Sequence, residues 1–214
     1  MPVGQDVPVA GFPIAAFEVF WIPDFERRME RLKAVVTPRL RLLGEALAPR
    51  VAALVGEPMH PHVALHLRRR VNPPDDTWVA FGPSPRGYKA LPHFEVGVDA
   101  KSVFVRFAIK PEGHAEKAPF FRRVPLGRLR ELAAGQPVEW YAGDHGQDPV
   151  PVAALTPRRW SELRARALRK DGSVSVGLVI RRDDPVVQSP GVQDAVLERL
   201  AILAPLHRAA RGLS

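Results

Sequence analysis

Cysteine is absent from the 214 residues. That excludes disulfides, a thiol nucleophile and any Cys-ligated zinc or iron–sulfur centre. Tyrosine occurs only twice and methionine three times. No stretch approaches the roughly 18 uninterrupted apolar residues of a membrane-spanning helix. The opening MPVGQDVPVAGF has neither a basic segment nor an apolar one behind it, so no signal peptide is expected. The expectation is a soluble, cytoplasmic chain with no membrane partner. The sequence also lacks a P-loop, a Gly-rich dinucleotide fingerprint, a nucleophile elbow and an HExxH pair. No motif therefore identifies a cofactor or a reaction.

What is present is ordinary in bulk and unusual in charge. Hydrophobic residues make up 46% and charged residues 25% of the chain, with a net charge of +8 and a pI near 10.5. A basic balance attracts phosphates, so an anionic small molecule or nucleic acid becomes a candidate partner. Arg-rich, Ala-rich and Pro-rich usage is also what a GC-rich genome writes, so basicity by itself decides nothing.

Periodicity places the elements. Residues 1–11 read as a flexible N-terminal tail. Phe12–Phe20 reads as a short helix, and Pro23–Val36 as a longer one with Phe25, Met29, Leu32, Val35 and Val36 facing inward. Thr37-Pro38 is expected to reset the chain and cap a helix carrying Leu40, Leu43, Leu47, Val51 and Leu54. Pro49 should kink or split that helix and Gly56 should end it. Period-two alternation predicts strands at 62–71, 77–81, 93–98, 102–109 and 173–181, with a short one at 139–142. Helices return at 119–135, broken at Pro125, at 156–170, and at 189–212 behind the cap pair Ser189-Pro190. Helices first, then strands, then a mixture is an α+β order. The prediction is one domain over 12–214, an antiparallel or mixed sheet of about five strands with helices packed against it.

The densest functional signal is HLRRRVNPPDDTWVAFGPSPRGYKALPHF, residues 66–94. It combines arginines, histidines and aromatics with five prolines that stiffen the backbone. His62 and His66 have the spacing of a helical metal pair, but on a strand their α-carbons lie roughly 13 Å apart, so no metal site is expected. Asp75-Asp76 reads as a solvated turn. The arginines have a plainer reading as partners of Glu95 or Asp99 on a neighbouring strand. Trp78 has one as a core residue, and His93 as a structural histidine. On the helix at 156–170, Arg158, Arg159, Arg166, Arg169 and Lys170 read as a solvated face above Trp160, Leu163 and Ala167.

PHVALHLRRRVNPPDDTWVAFGPSPRGYKALPHFEVGV (61–98) resembles the central block of the YktB family of bacterial proteins, a domain of unknown function. FEVFWIPDFERRMERLKAVVTPRLRLLGEALAP (17–49) resembles the family's N-terminal part, and VEWYAGDH (138–145) a later block with a Trp before Asp-His. The resemblance implies a single α+β domain and no particular activity.

Three functional expectations follow. The first is a binding protein for a phosphate-bearing or nucleotide-like ligand, held by Arg68, Arg70, Asn72, Arg86, Tyr88, Lys89 and His93. Arginine offers a planar fork to an oxyanion and tyrosine a stacking face. The second is an enzyme with His66, His93 or His145 as general acid or base. The third is nucleic-acid binding through the basic surface.

Overall fold

The computed structural model describes residues 10–66, 70–142 and 148–213. Arg68 and His145 of the candidate set, together with Arg69 and Asp144, lie outside the described residues.

Helix α1 (Ile14–Glu18) leads to α2 (Phe25–Arg31), capped by Asp24, whose side chain accepts from Arg27 N–H at 2.8 Å. The expected break at Thr37-Pro38 does not occur. A π-helical turn at Leu32–Val36 carries α2 directly into α3 (Thr37–Val55). The Thr37 N–H reaches back five residues to the Leu32 carbonyl. That wider turn makes room for Pro38, which has no N–H to place. Pro49 does not split α3 either. It sits on the exposed side, where the carbonyl it frees turns to water. Gly56 ends the helix in the left-handed conformation (φ 80°) with its N–H on the Ala52 carbonyl.

The sheet has seven strands, not about five: β1 (His60–Val63), β2 (Asp76–Gly82), β3 (His93–Asp99), β4 (Ser102–Ile109), β5 (Glu139–Tyr141), β6 (Pro149–Pro151) and β7 (Val174–Arg181). Their spatial order is β1-β2-β3-β4-β7-β5-β6, with every pairing antiparallel. The strand expected over 62–71 starts earlier and is shorter. Its pairing with β2 ends at Val63 opposite Val79, and His66 turns away with φ 51°. Leu65, expected on the core face, is exposed. Both edge strands carry proline, Pro61 in β1 and Pro149 and Pro151 in β6. Proline cannot donate to a further strand, so both edges resist extension.

The remaining helices are α4 (His114–Arg123), α5 (Leu126–Leu132), α6 (Pro157–Ala167) and α7 (Val192–Arg211). The Ser189 hydroxyl accepts from Gly191 N–H at 3.2 Å ahead of α7. Helices α1, α3, α4 and α7 pack against the sheet. Val79, Phe81, Phe94, Val96, Val105 and Phe107 join the core they form. No helix among the described residues is long and apolar enough to cross a membrane.

One ionisable group lies inside this core. His207 of α7 is fully buried and stacks on Phe94 at 5.0 Å. Its Nε2 meets Glu57 Oε1 at 2.8 Å, and the same carboxylate takes Arg211 Nε at 3.0 Å. Burial pulls the imidazole down to about 4, with Glu57 offsetting only part of it. Between about 6.5, the ordinary histidine value, and about 4, the unfolded chain therefore binds a proton that the folded chain refuses. Stability is full above that window and falls as pH drops through it, by about 3 kcal/mol in all. Urea midpoints measured across this range should decline for the native chain. They should be much flatter for His207→Phe.

Candidate functional site

The pleat gives the sheet a second face, which the helices do not cover. Pairing registers align His62, Ala80, Glu95, Arg106, Gly177 and Glu139 in one row across β1, β2, β3, β4, β7 and β5. A second row runs His93, Ala108, Ser175, and a third runs Trp78, Gly97, Phe104, Val179. Asp76, His93, Glu95, Arg106, Lys110 and Ser175 are all buried. A sheet face this rich in ionisable groups and yet dry is costly unless each charge is matched.

Glu95 is the best matched. Its Oε1 lies 2.9 Å from Lys110 Nζ and 3.5 Å from His93 Nε2. Burial alone would push the carboxyl up, but Lys110 and His93 overcome it and hold Glu95 at about 2. His93 is fully buried, and its Nδ1 lies 2.7 Å from the Leu91 carbonyl. Nδ1 is thus taken by the Leu91 carbonyl, while Nε2 stands at ion-pair distance from Glu95 without a hydrogen bond among the described residues.

Arg106 is matched least. It is 3% exposed, yet its Nε and Nη1 have no hydrogen-bond partner among the described residues. Nη1 stands 3.8 Å from Asp76 Oδ2, an ion pair beyond hydrogen-bond reach. The guanidinium lies 3.8 Å above the Phe104 ring centre and 4.9 Å from that of Tyr141. Side chains from strands two away on either side thus converge on it. Tyr141 donates its hydroxyl to Glu139 at 2.9 Å. Burial raises the phenol far above its usual range, and Glu139 adds to the shift against the pull of Arg106. The Ser175 hydroxyl is also buried without a partner.

The segment after β2 folds back over one end of this face. Tyr88 accepts from Trp78 Nε1 at 3.2 Å, and its ring centre lies 4.8 Å from that of His93 and 5.8 Å from that of His62. A side chain at Gly82 would meet Tyr88 Cβ at 2.8 Å, and one at Gly97 would meet Phe104 Cζ at 2.2 Å. Gly82 thus makes room for the Tyr88 backbone and Cβ, and Gly97 for the Phe104 ring. Tyr88 is thus a clamp on the sheet more than an open stacking platform.

Of the predicted ligand set, Tyr88 and His93 come together. Arg70, Asn72, Arg86 and Lys89 are exposed, and Lys89 Nζ pairs with Glu112 at 3.4 Å. Among the described residues, Glu95 meets Lys110 and His93, and Asp99 accepts from the Lys101 and Ser102 backbone. His66 Nε2 lies 3.0 Å from Thr77 Oγ1. Asp75 is exposed and pairs with Arg28 at 3.3 Å, whereas Asp76 is buried at the start of β2. The two do not form the single solvated turn expected. On α6, Arg158 and Arg159 both bond Glu162. Trp78 is 7% exposed and sits in a small cluster with Ala80 and Phe104.

The sequence reading missed Glu95, Arg106, Lys110, Tyr141 and Ser175. A signal for the first two was present: Glu95 stands between Phe94 and Val96, and Arg106 between Val105 and Phe107. A lone charge inside an apolar strand marks the face it points to.

The architecture is therefore that of an α+β protein with helices on one face of an antiparallel sheet and a dry charged surface on the other. The chain belongs to the family described as "Domain of unknown function (DUF1054)", whose model matches residues 12–207. It is similar to UPF0637 proteins of several bacteria. A Bacillus cytotoxicus relative is 46% identical over 176 residues, covering 81% of this chain and 84% of the relative. A Bacillus velezensis relative is 56% identical over 93 residues, and there the match spans 44% of each chain, less than half the relative's length. A Staphylococcus aureus (strain Newman) relative is 45% identical over 109 residues, 50% of this chain and 53% of the relative. The resemblance to the YktB family is thereby borne out, and with it an assignment to a family whose description states no activity.

Removing one partner of the Lys110–Glu95 contact should strand the other. Lys110→Met should destabilise the fold by about 3–5 kcal/mol in urea unfolding. Adding Glu95→Gln to it should recover part of that loss, because the double variant no longer leaves the residue-95 carboxylate buried without its lysine.

Proposed function

We propose that the helix-free face of the sheet binds a small anionic ligand and that Arg106 is its anchor. One observation carries this reading: a guanidinium at 3% exposure with Nε and Nη1 lacking hydrogen-bond partners. Such donors leave the full desolvation penalty unrecovered, about 1–3 kcal/mol or more for a charged group. An oxyanion is the acceptor that recovers it with strong, charge-assisted bonds. Phe104 and Tyr141 fix the plane of the guanidinium, so its donors are aimed before a ligand arrives.

The surrounding residues divide the labour. Lys110 and His93 are spent on Glu95 and supply rigidity. Tyr88 holds its segment against His93. The exposed Arg70, Arg86 and Lys89 add positive potential at the rim, which acts on association rate and salt dependence more than on bond strength.

The test is a thermal-shift series in low-anion buffer with inorganic phosphate, sulfate, acetate and nucleotides. An anion that binds should raise the melting temperature by mass action, about 2.7 kcal/mol of stabilisation at a hundredfold excess over Kd. Arg106→Lys should cut the shift by about half or more. Arg86→Ala with Lys89→Ala should leave its size unchanged at moderate salt. A shift that survives loss of Arg106 but vanishes with Arg86 and Lys89 would move the site to the exposed segment.

A further inference from the structure

The charge balance around Arg106 restricts which oxyanion fits. Lys110 and His93 face Glu95, and none of the three is directed at Arg106 by the contacts they make. Arg106 itself has the Asp76 carboxylate 3.8 Å from Nη1. Glu139, in the same row, accepts the Tyr141 hydroxyl. The other buried cation of this face, Lys110, is engaged with Glu95, while the guanidinium already has an acidic group beside it. A dianion placed here would bring two charges out of water against one cation whose field is partly cancelled. A monoanion brings one. Desolvation grows steeply with charge, so the difference favours the singly charged ligand.

A second polar contact lies next to Arg106. Arg106 pairs with Gly177, and Ser175 is two residues along the same strand. That makes Ser175 a diagonal neighbour, on the order of 7 Å away between α-carbons. Gly177 contributes no side chain between them. A Cβ there would meet Arg106 Cγ at 2.8 Å, so the glycine also lets the arginine stem lie low across β7. Ala108, beside Ser175, adds only a methyl group. The buried Ser175 hydroxyl without a partner faces the same low floor.

We infer that the ligand is a small monocarboxylate, not a phosphate ester, with its carboxylate on Arg106 and Ser175 as a second hydrogen-bonding contact. This rests on the reading of Arg106 as the anion anchor. It departs from the phosphate-bearing ligand that composition favours, because bulk charge reports the surface and the buried face is nearly balanced.

Calorimetric titration of the full chain tests it, using acetate, benzoate and a short hydroxycarboxylate against inorganic phosphate and sulfate. The carboxylates should bind and the dianions should bind at least tenfold more weakly. Arg106→Lys should weaken carboxylate binding by about tenfold or more. Ser175→Ala, which removes one atom and no charge, should weaken the hydroxycarboxylate several-fold and acetate less. It supplies the same information if Arg106→Lys fails to fold. Phosphate or sulfate binding as tightly as the carboxylates, through Arg106, would overturn the monocarboxylate inference and leave the anion site standing. No binding by any of these anions, or binding untouched by both substitutions, would remove the anion site and this inference with it.

Discussion

The contact between Lys110 and Glu95 is what allows the sheet to have a dry second face. A carboxylate pointing away from the helices must either reach water or meet a cation. Here it meets Lys110 at 2.9 Å and His93 at 3.5 Å. That settlement fixes much else. Holding Lys110 in place puts its ammonium 4.9 Å from the centre of the Trp78 ring. Holding His93 requires the Leu91 carbonyl, so the chain before β3 cannot lift away without exposing the imidazole. Tyr88 then packs on His93 and bonds Trp78. Linked ion-pair, hydrogen-bond and aromatic contacts thus do for this face what apolar side chains do for the other.

The two faces meet on β3. Its odd-numbered residues, His93 and Glu95, build the charged side, while Phe94 between them points into the core and stacks on His207. One strand therefore carries a buried histidine on each side. The two are secured differently. His93 has the Leu91 carbonyl at Nδ1 and Glu95 3.5 Å from Nε2, whereas His207 has Glu57 at Nε2 and, among the described residues, no partner at Nδ1. On the helical side the ring lies among aromatic neighbours with one compensating carboxylate, so acid weakens that side first, between about 6.5 and about 4, whereas the Glu95 carboxylate of the charged side is protonated only at lower pH, toward about 2.

Sequence patterning revealed the central strands because their physics is local. Alternating or continuous apolar residues at 77–81, 93–98, 102–109 and 173–181 leave few alternatives to a strand. Other elements depend on distant partners. Two of the three residues of β6 are prolines, and the segment becomes a strand only because β5 offers an edge. The π-helical turn before Pro38 shows how a proline that reads as a stop can be absorbed by one wider turn. The site was misplaced for a related reason. Density of arginine in 66–94 drew attention to the connecting segments, which are the places where long cations reach water at least cost. The informative charges were single ones inside apolar strands, Glu95 and Arg106, where burial turns each charge into a demand for a partner.

That demand is met unequally, and the inequality carries the functional argument. Lys110 and Glu95 show that this sheet closes an ion contact to hydrogen-bond distance when stability is all that is at stake. Arg106 and Asp76 stop at 3.8 Å. The guanidinium is stacked on Phe104, and Phe104 in turn lies in the recess left by Gly97. A side chain at Gly97 would displace the ring and release the arginine, so the glycine, the ring and the cation form one positioning unit. The unit holds Arg106 in a fixed plane without satisfying its Nε and Nη1. A purely structural arginine gains nothing from being held short of its carboxylate. A binding residue does, since donors kept aimed and unspent are available to whatever acceptor enters.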